Sequence, residues 1–403
     1  MGLSERPSAP AVTEGNPKID GIQKSKFSTS EAITPYKVSP TITTTMNCRL
    51  TSTGLRVAAV GSAFPNHYYS QDVIQQALKR HWAHALEKPN VIDRLYTRVG
   101  VDGRHLALPI EQYDELTRWG QNNNAWIEVA EELGEKALCR ALVRAGLSTQ
   151  DLNALFFVSI TGIASPSIDA RLINRMGLPV NLKRIPIFGL GCVGGAAGIA
   201  RAADYVRAFP DHTAAVLAVE LCSLTWQRED LSVANLISSG LFGDGAAAVV
   251  VTGSEKGQRG PEVLATRSSF YPGTEDVMGW DISEKGFRIV LSPDVPAMVH
   301  RHLREDVDQF LDDNGLRHAD IDSWIMHTGG PKVLEAMQHA LQLPEGTLDV
   351  SWESLHRVGN LSSVSVLLVL EDVILRRRPA TGSYSLLAAM GPGFCAELVL
   401  LRW

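Results

Sequence analysis

Residues 184–206 read RIPIFGLGCVGGAAGIARAADYV. An apolar run ends in Gly189 and Gly191, and Cys192 then opens an Ala- and Gly-rich stretch, so the segment predicts a buried strand, a tight turn and a helix. A cysteine there has two readings. It can be a small buried filler, as free cysteines commonly are. It can also be a nucleophile, because the unpaired N–H groups and the positive dipole end of a helix N-terminus stabilise a thiolate. Gly194, Gly195, Ala196 and Ala197 would let the helix approach its neighbours and leave room beside the sulfur.

Three further apolar segments share this grammar, Ala154–Ile160, Ala214–Leu221 and Ala246–Thr252. With Arg184–Leu190 they predict strands buried on both faces, inside a sheet covered by helices. Upstream, LRVAAVGSAFP (55–65) reads as a strand ending in a turn. Ser70–His84 reads as a helix with Ser70 as N-cap and Val73, Ile74 and Leu78 on one face, and Glu128–Arg144 as a second, amphipathic helix. GSEKGQRGPE (253–262) punctuates the chain. Beyond it the pattern repeats: a strand pair (Val263–Tyr271, Gly286–Leu291), a helix (Val295–Asn314), a strand (Ser323–His327), helices at Pro331–Leu341 and Leu361–Arg377, and closing strands Tyr384–Met390 and Ala396–Leu401. The expected organisation is an α/β protein of several layers in two successive halves, 51–254 and 263–403. Residues 1–50, rich in Ser, Thr, Pro and Lys without periodicity, read as a flexible extension.

The composition narrows the function. With 45% hydrophobic and 20% charged residues among 403, the chain has enough apolar matter for a large core. Its net charge of −6 offers no global basic field for a phosphate backbone, which argues against nucleic acid as a partner. Apolar runs such as Val364–Leu370 fall far short of the ~20 residues a spanning helix needs, so no membrane insertion is expected. The five cysteines (Cys48, Cys139, Cys192, Cys222, Cys395) lack CxxC spacing and fit a reducing, cytoplasmic setting, and the N-terminus lacks the pattern of a secretory signal.

A nucleophilic cysteine needs a base and a group to hold developing negative charge. Two residues stand at turn-rich element ends: His327 in SWIMHTGGPKV, closing a buried strand, and Asn360 in HRVGNLSSVSV, heading an apolar helix. Each also has a plain reading, a satisfied core histidine and an ordinary N-cap. There is no clustered metal-ligand set and no strand–GxGxxG–helix unit.

Taken together, Cys192 in GCVGG, Phe242 in LFGDGAAAVV, His327 in HTGGPKV, Asn360 in RVGNLSS and the terminal Gly391-Pro392-Gly393 resemble the type III polyketide synthases, the chalcone and stilbene synthase-like branch of the thiolase superfamily. The resemblance runs from about Leu55 to Trp403. It implies a five-layered αβαβα thiolase-like fold of two similar halves, a homodimer, and a Cys-His-Asn site reached by a tunnel for CoA. Cys192 would carry the acyl starter from an acyl-CoA as a thioester, helped by a His327 imidazolium. His327 and Asn360 would hydrogen-bond the malonyl-CoA thioester carbonyl as CO2 leaves, and the resulting carbanion would attack acyl-Cys192. Acyl-CoA and malonyl-CoA would be substrates, and no cofactor is implied.

The same resemblance makes Phe242 the aromatic gatekeeper and Gly391-Pro392-Gly393 a cyclisation-pocket loop, within MGPGF rather than the plant pattern GFGPG. It puts Thr161, Ser165, Thr225, Trp280, Ile289 and Ser362 on the cavity wall. Arg94 and Arg98 fall at two positions of a basic CoA-contacting stretch, with Val91 at a third and Lys88 nearby. Trp280 should fill the cavity, whereas the small-residue loop Thr161–Pro166 could open a channel for a linear tail, as in bacterial alkylpyrone and alkylresorcinol synthases. A medium- or long-chain fatty acyl-CoA starter is therefore the expected substrate. Three rival readings are a priming β-ketoacyl synthase, which makes a single condensation, a papain-like cysteine hydrolase or thioesterase, whose cysteine also opens a helix, and a non-catalytic scaffold of the same fold, disfavoured because Cys192, His327 and Asn360 are all intact.

Overall fold

Regular structure begins at β1 (Arg56–Ala63), in a computed structural model that describes residues 51–83, 85 and 90–403. The extension expected over residues 1–50 and Lys88 lie outside the described residues. After β1 come β2 (His67–Ser70), α1 (Gln71–Trp82), α2 (Asn90–Tyr96), β3 (Gly103–Leu106) and α3 (Trp119–Ala145). The first half closes with β4 (Ala154–Val158), α4 (Ile168–Met176), β5 (Lys183–Ile187), α5 (Gly194–Ala208), β6 (Thr213–Leu221), α6 (Val233–Leu241) and β7 (Asp244–Thr252). The second half holds β8 (Glu262–Phe270), β9 (Met278–Ser283), β10 (Gly286–Leu291), α7 (Val295–Asp313), β11 (Ile321–Met326), α8 (Pro331–Ala340), α9 (Asp349–Val358), α10 (Ser365–Arg376), β12 (Tyr384–Gly391) and β13 (Cys395–Arg402).

The two halves repeat one strand order. The sheet runs β11-β12-β13-β8-β1-β7-β6-β4-β5, joined across its middle by the single pair Arg56 and Glu262. Reading outward from that seam, β1-β7-β6-β4 matches β8-β13-β12-β11. In each half the first two pairings are antiparallel and the third is parallel. α5 and α10 lie between the halves, where Ile199 and Ala203 meet Leu367 and Leu370 together with Val216, Val249, Leu387 and Val399 from the inner sheet faces. α3 covers the outer face of the first half with Leu133, Ala137 and Leu142. α7 and α8 cover the second with Val299, Leu303, Leu334 and Met337. The result is the five-layered αβαβα thiolase-like arrangement. Each such fully buried Val or Leu contributes about 1.5–3 kcal/mol against water.

The Gly/Ala composition of α5 follows from its central layer. A Cβ on Gly195 would lie 2.2 Å from the Ser363 carbonyl oxygen, and one on Gly198 would lie 2.5 Å from Val216. Only hydrogen fits at either place. No described helix is long and apolar enough to cross a membrane.

Several local expectations need correction. α1 starts at Gln71; Ser70 stands at its N-cap in extended backbone but makes no side-chain cap bond, and Val73 is exposed while Ile74 and Leu78 are buried. α3 starts at Trp119, well before Glu128, because Gln121 turns its side-chain oxygen back to the amides of Thr117 and Arg118 and closes an N-terminus that has no apolar periodicity. β5 is not buried on both faces: it is the sheet's last strand, pairs only with β4, and exposes Lys183, Arg184 and Pro186. The proline fits an edge, where its missing N–H leaves no ladder bond unmade. The strands at Val263 and Gly286 are not partners. β10 folds back on β9 in a separate hairpin, while β8 pairs with β13. Neither β9 nor α9 was expected.

Candidate active site

Cys192 sits in a single 3-10 turn, Gly191–Val193, that leads directly into α5. Gly191 takes φ +51°, and a Cβ there would lie 2.8 Å from Pro392, so both its backbone conformation and its contact require glycine. Gly391 ends β12 against this turn, where a Cβ would be 3.3 Å from the Cβ of Cys192. Gly391 pairs with Cys395 across the β12–β13 hairpin, so the Gly391-Pro392-Gly393 loop is a hairpin turn, and Pro392 stands in the wall of the cysteine's chamber.

His327 continues from β11, its amide bonded to the Ala388 carbonyl at 3.0 Å and its carbonyl accepting from Gly329. The backbone is thus fixed on both sides of a ring that is 2% exposed. Neither ring nitrogen has a hydrogen-bond partner among the described residues. A satisfied core histidine would have one. Asn360 is also 2% exposed. Its Oδ1 accepts from the Ser362 amide at 2.8 Å and lies 3.4 Å from the Ser365 hydroxyl, capping the turn before α10 and leaving Nδ2 as the free donor. The N-cap reading is therefore correct for one atom of this side chain and silent about the other. Ser362, held at φ +49°, bonds its hydroxyl to the Cys192 thiol. A non-glycine residue in that region stores strain, a mark of sites built for function.

Burial opposes charge on both reacting partners. It pushes the Cys192 thiol up to about 12, against the smaller favourable effect of the Ser362 hydroxyl, and pushes His327 down to about 4. The imidazolium expected from the resemblance is thus not a product of independent titration.

Two residues that the sequence reading missed complete the site. Glu220 is fully buried in β6, where its carboxylate accepts from Thr161 Oγ1 (2.9 Å), the Ile160 amide (3.1 Å) and Ser363 Oγ (2.5 Å). Desolvation raises it to about 7. Its signal was available, since a glutamate within the apolar run Ala214–Leu221 breaks the pattern of a buried strand. Cys222, immediately after β6, lines the chamber with Cys192 and left no such signal.

The chamber at Cys192 encloses about 30 Å³ among Thr161, Phe242, Trp280, Ile289, Ser362 and Pro392. Beyond Cys222, Phe242, Trp280 and Ile289 lies a cavity of about 360 Å³, which Thr225 lines from the far side. The structure thus gathers most of the expected cavity residues. Ser165 is the exception: it is exposed and borders neither space. Arg94 and Arg98 are exposed and have no ion-pair partner among the described residues, whereas Val91 packs on the core of the first half.

The family models for chalcone and stilbene synthases match residues 44–255 (N-terminal domain) and 262–403 (C-terminal domain). A 1,3,6,8-tetrahydroxynaphthalene synthase of Streptomyces peucetius is 53% identical, with 87% of this chain and 93% of that protein covered. A phloroglucinol synthase of Pseudomonas fluorescens is 32% identical over 84% of this chain and 97% of its own. The crystal structure of 1,3,6,8-tetrahydroxynaphthalene synthase from Streptomyces coelicolor, a bacterial type III polyketide synthase, superposes with a TM-score of 0.82 at 32% identity, covering 86% of this chain and 99% of that one. By sequence and fold, the chain belongs to the chalcone and stilbene synthase family and is an acyltransferase, a type III polyketide synthase.

Proposed function

We propose that the chain condenses malonyl-CoA units repeatedly into a small polyhydroxylated aromatic product, with malonyl-CoA as starter as well as extender. The observation that carries this reading is the 53% identity to a 1,3,6,8-tetrahydroxynaphthalene synthase across nearly the whole of both chains. In that product oxygen sits on alternate carbons, the pattern that a poly-β-ketone of two-carbon units leaves on cyclising.

In this reading Cys192 Sγ gives its proton to His327 and attacks the thioester of the starter, releasing CoA. Malonyl-CoA then binds with its thioester carbonyl toward a His327 N–H and Asn360 Nδ2. As CO2 departs, these donors hold the enolate oxygen in a site from which water is largely excluded, where such bonds gain strength. The enolate carbon attacks the acyl-Cys192 carbonyl and the sulfur leaves as thiolate. Exposed Arg94 and Arg98 would serve the CoA phosphates. The free edge of β5, with exposed Phe188 just beyond it, supports assembly as a homodimer, because an uncovered strand edge invites pairing.

The alkylpyrone or alkylresorcinol reading, with a fatty acyl-CoA starter, keeps one supporting observation: Ile74, Ala77, Leu78, Leu106 and Ile110 give the larger cavity an apolar wall. A competition assay separates the two. With malonyl-CoA alone the enzyme is expected to form an aromatic product, and added acetyl-, hexanoyl- or decanoyl-CoA is expected to be taken up less than malonyl units, as read by mass spectrometry. Dominant alkylated products would reverse the order of the two readings. Light scattering of the purified protein tests the dimer.

A further inference from the structure

The helix α6 ends directly at Phe242, and its last carbonyls are held from outside. The Phe242 amide bonds back to Ser238 at 2.9 Å, which leaves the carbonyls of Ser239, Gly240 and Leu241 without a partner in the helix. Leu241 accepts from the Asn360 amide at 2.9 Å. Ser239 and Gly240 both accept from the guanidinium of Arg104, and Gly240 accepts also from Gln71 Nε2 at 2.8 Å. Gln71 Oε1 in turn accepts from Arg104 at 3.2 Å. Arg104 stands in β3 and Gln71 opens α1, so two other segments converge on the turn that precedes Phe242.

A buried arginine is a costly way to satisfy two carbonyls. Arg104 is 2% exposed, and its Nε has no hydrogen-bond partner among the described residues. No carboxylate is bonded to it: Asp244, whose charge it feels, spends its oxygens on the Ser223 amide (2.9 Å), the Ala107 amide (2.6 Å) and the Ser223 hydroxyl. Taking a guanidinium out of water without such a partner is expensive, and a neutral donor, Gln71, already serves Gly240. What the cation adds is attraction to the negative dipole end of α6 and a planar fork that fixes two adjacent carbonyls at once. The surroundings are tight as well. A Cβ on Gly240 would lie 2.6 Å from the Tyr96 ring, and one on Gly243 would lie 3.3 Å from Arg104 Cβ. A slide or rotation of the helix end therefore breaks the fork or drives it into these groups.

The backbone of Asn360 is bonded on both sides of Phe242, to the Leu241 carbonyl and from the Gly243 amide. Whatever fixes the end of α6 thus fixes Asn360 too. We propose that Arg104 is a positioning residue for the reaction: by clamping the end of α6 it sets Phe242 and, through the bridge, the place of Asn360 Nδ2 where the enolate oxygen forms. It acts through these two residues and not on the reacting atoms. The inference rests on the role proposed above for Asn360.

The test is steady-state decarboxylation of malonyl-CoA, followed as CO2 release, by the full-length chain carrying Arg104→Met. The expected result is a fall in kcat of about tenfold with KM within about twofold of the parent, the mark of an interaction made only in the transition state. Arg104→Lys, which keeps the charge and reaches one carbonyl in place of two, is expected to fall only about threefold. Gln71→Met removes the second donor on Gly240 and leaves the guanidinium in place; it is expected to lower kcat about twofold, and it carries the test if Arg104→Met does not fold. Unchanged kcat in Arg104→Met, a raised KM at unchanged kcat, Arg104→Lys no better than Arg104→Met, or unchanged kcat in Gln71→Met where Arg104→Met is unfolded would each overturn the proposal. Asn360→Asp keeps the two readings apart. Decarboxylation intact in Asn360→Asp removes the role of Asn360, whereas a fall there beside Arg104→Met at the parent's kcat removes this inference alone.

Discussion

Phe242 and Asn360 are neighbours in a two-bond backbone bridge: the Asn360 amide donates to the Leu241 carbonyl and the Gly243 amide donates to the Asn360 carbonyl, each at 2.9 Å. The aromatic wall residue and the amide donor are therefore positioned as one piece, although they come from different halves of the chain.

Gly243 holds this bridge closed. A Cβ there would lie 2.4 Å from the Val358 carbonyl oxygen and 3.3 Å from Arg104 Cβ. Gly243→Ala is expected to cost about 1–3 kcal/mol of stability, as other overpacked sites do, and to lower condensation as Phe242 and Asn360 shift together. Thermal melting and product formation measure both; a variant unchanged in each would show that the bridge does not position the site.

Cys192→Ala is expected to reduce condensation at least about a thousandfold while melting within a few degrees of the parent, since Sγ forms the bond in the proposed reaction and its loss leaves only a small gap. Residual condensation near the parent rate would remove Cys192 as nucleophile.

Asn360→Asp separates the residue's two tasks. The acceptor that caps the Ser362 amide is kept, and the Nδ2 donor is replaced by an anion, which in the proposed reaction would face the developing enolate. Decarboxylation of malonyl-CoA, followed as CO2 release, is expected to fall about 10²–10³-fold with the melting temperature little changed. A large loss of stability with decarboxylation intact would make Asn360 a structural cap only.

Trp280 lies opposite Ile289 in the β9–β10 hairpin and borders both spaces. Trp280→Ala should merge them, and bulkier starters rejected by the parent should then appear in products by mass spectrometry. An unaltered starter range would mean that the partition lies elsewhere.

Glu220 gives the fold a pH dependence. Burial raises its pKa from 4.5 to about 7, so between those values the folded chain binds more protons than the unfolded one, and stability falls as pH rises through the window, by about 3 kcal/mol. His327, held down to about 4, acts in the opposite sense in both proteins, so denaturant titrations at pH 5 and pH 7.5 are expected to show that fall as the difference between the parent and Glu220→Gln. A parent that is more stable at pH 7.5 than the variant's own change explains would assign the dependence to other groups.

Much of the molecule can be read from residues 184–206 outward. Strand periods, the Gly/Ala helix, the repeat of the grammar after residue 262 and the polar residues at element ends follow from local pattern, because burial on one face or two imposes its own spacing on a sequence. Those signals made Cys192, His327 and Asn360 candidates, each with a plain structural reading beside it, and the family resemblance chose between the readings. Pairing is a property of partners far apart in the chain. Apolarity therefore could not show that β5 is an edge, that β10 folds onto β9, or that β8 pairs with β13. The same limit applied to the cavity. Ser165, a wall residue by the resemblance, is on the surface of this chain, while Cys222, which its context did not single out, lines the chamber of Cys192. The sequence alone determined the layered α/β class and pointed to the side chains proposed to carry the chemistry. Tertiary structure alone decided that a small chamber, about 30 Å³, opens on a larger one, about 360 Å³, and which buried donors remain unpaired, because enclosed space and unmet hydrogen bonds exist only where distant segments close around them.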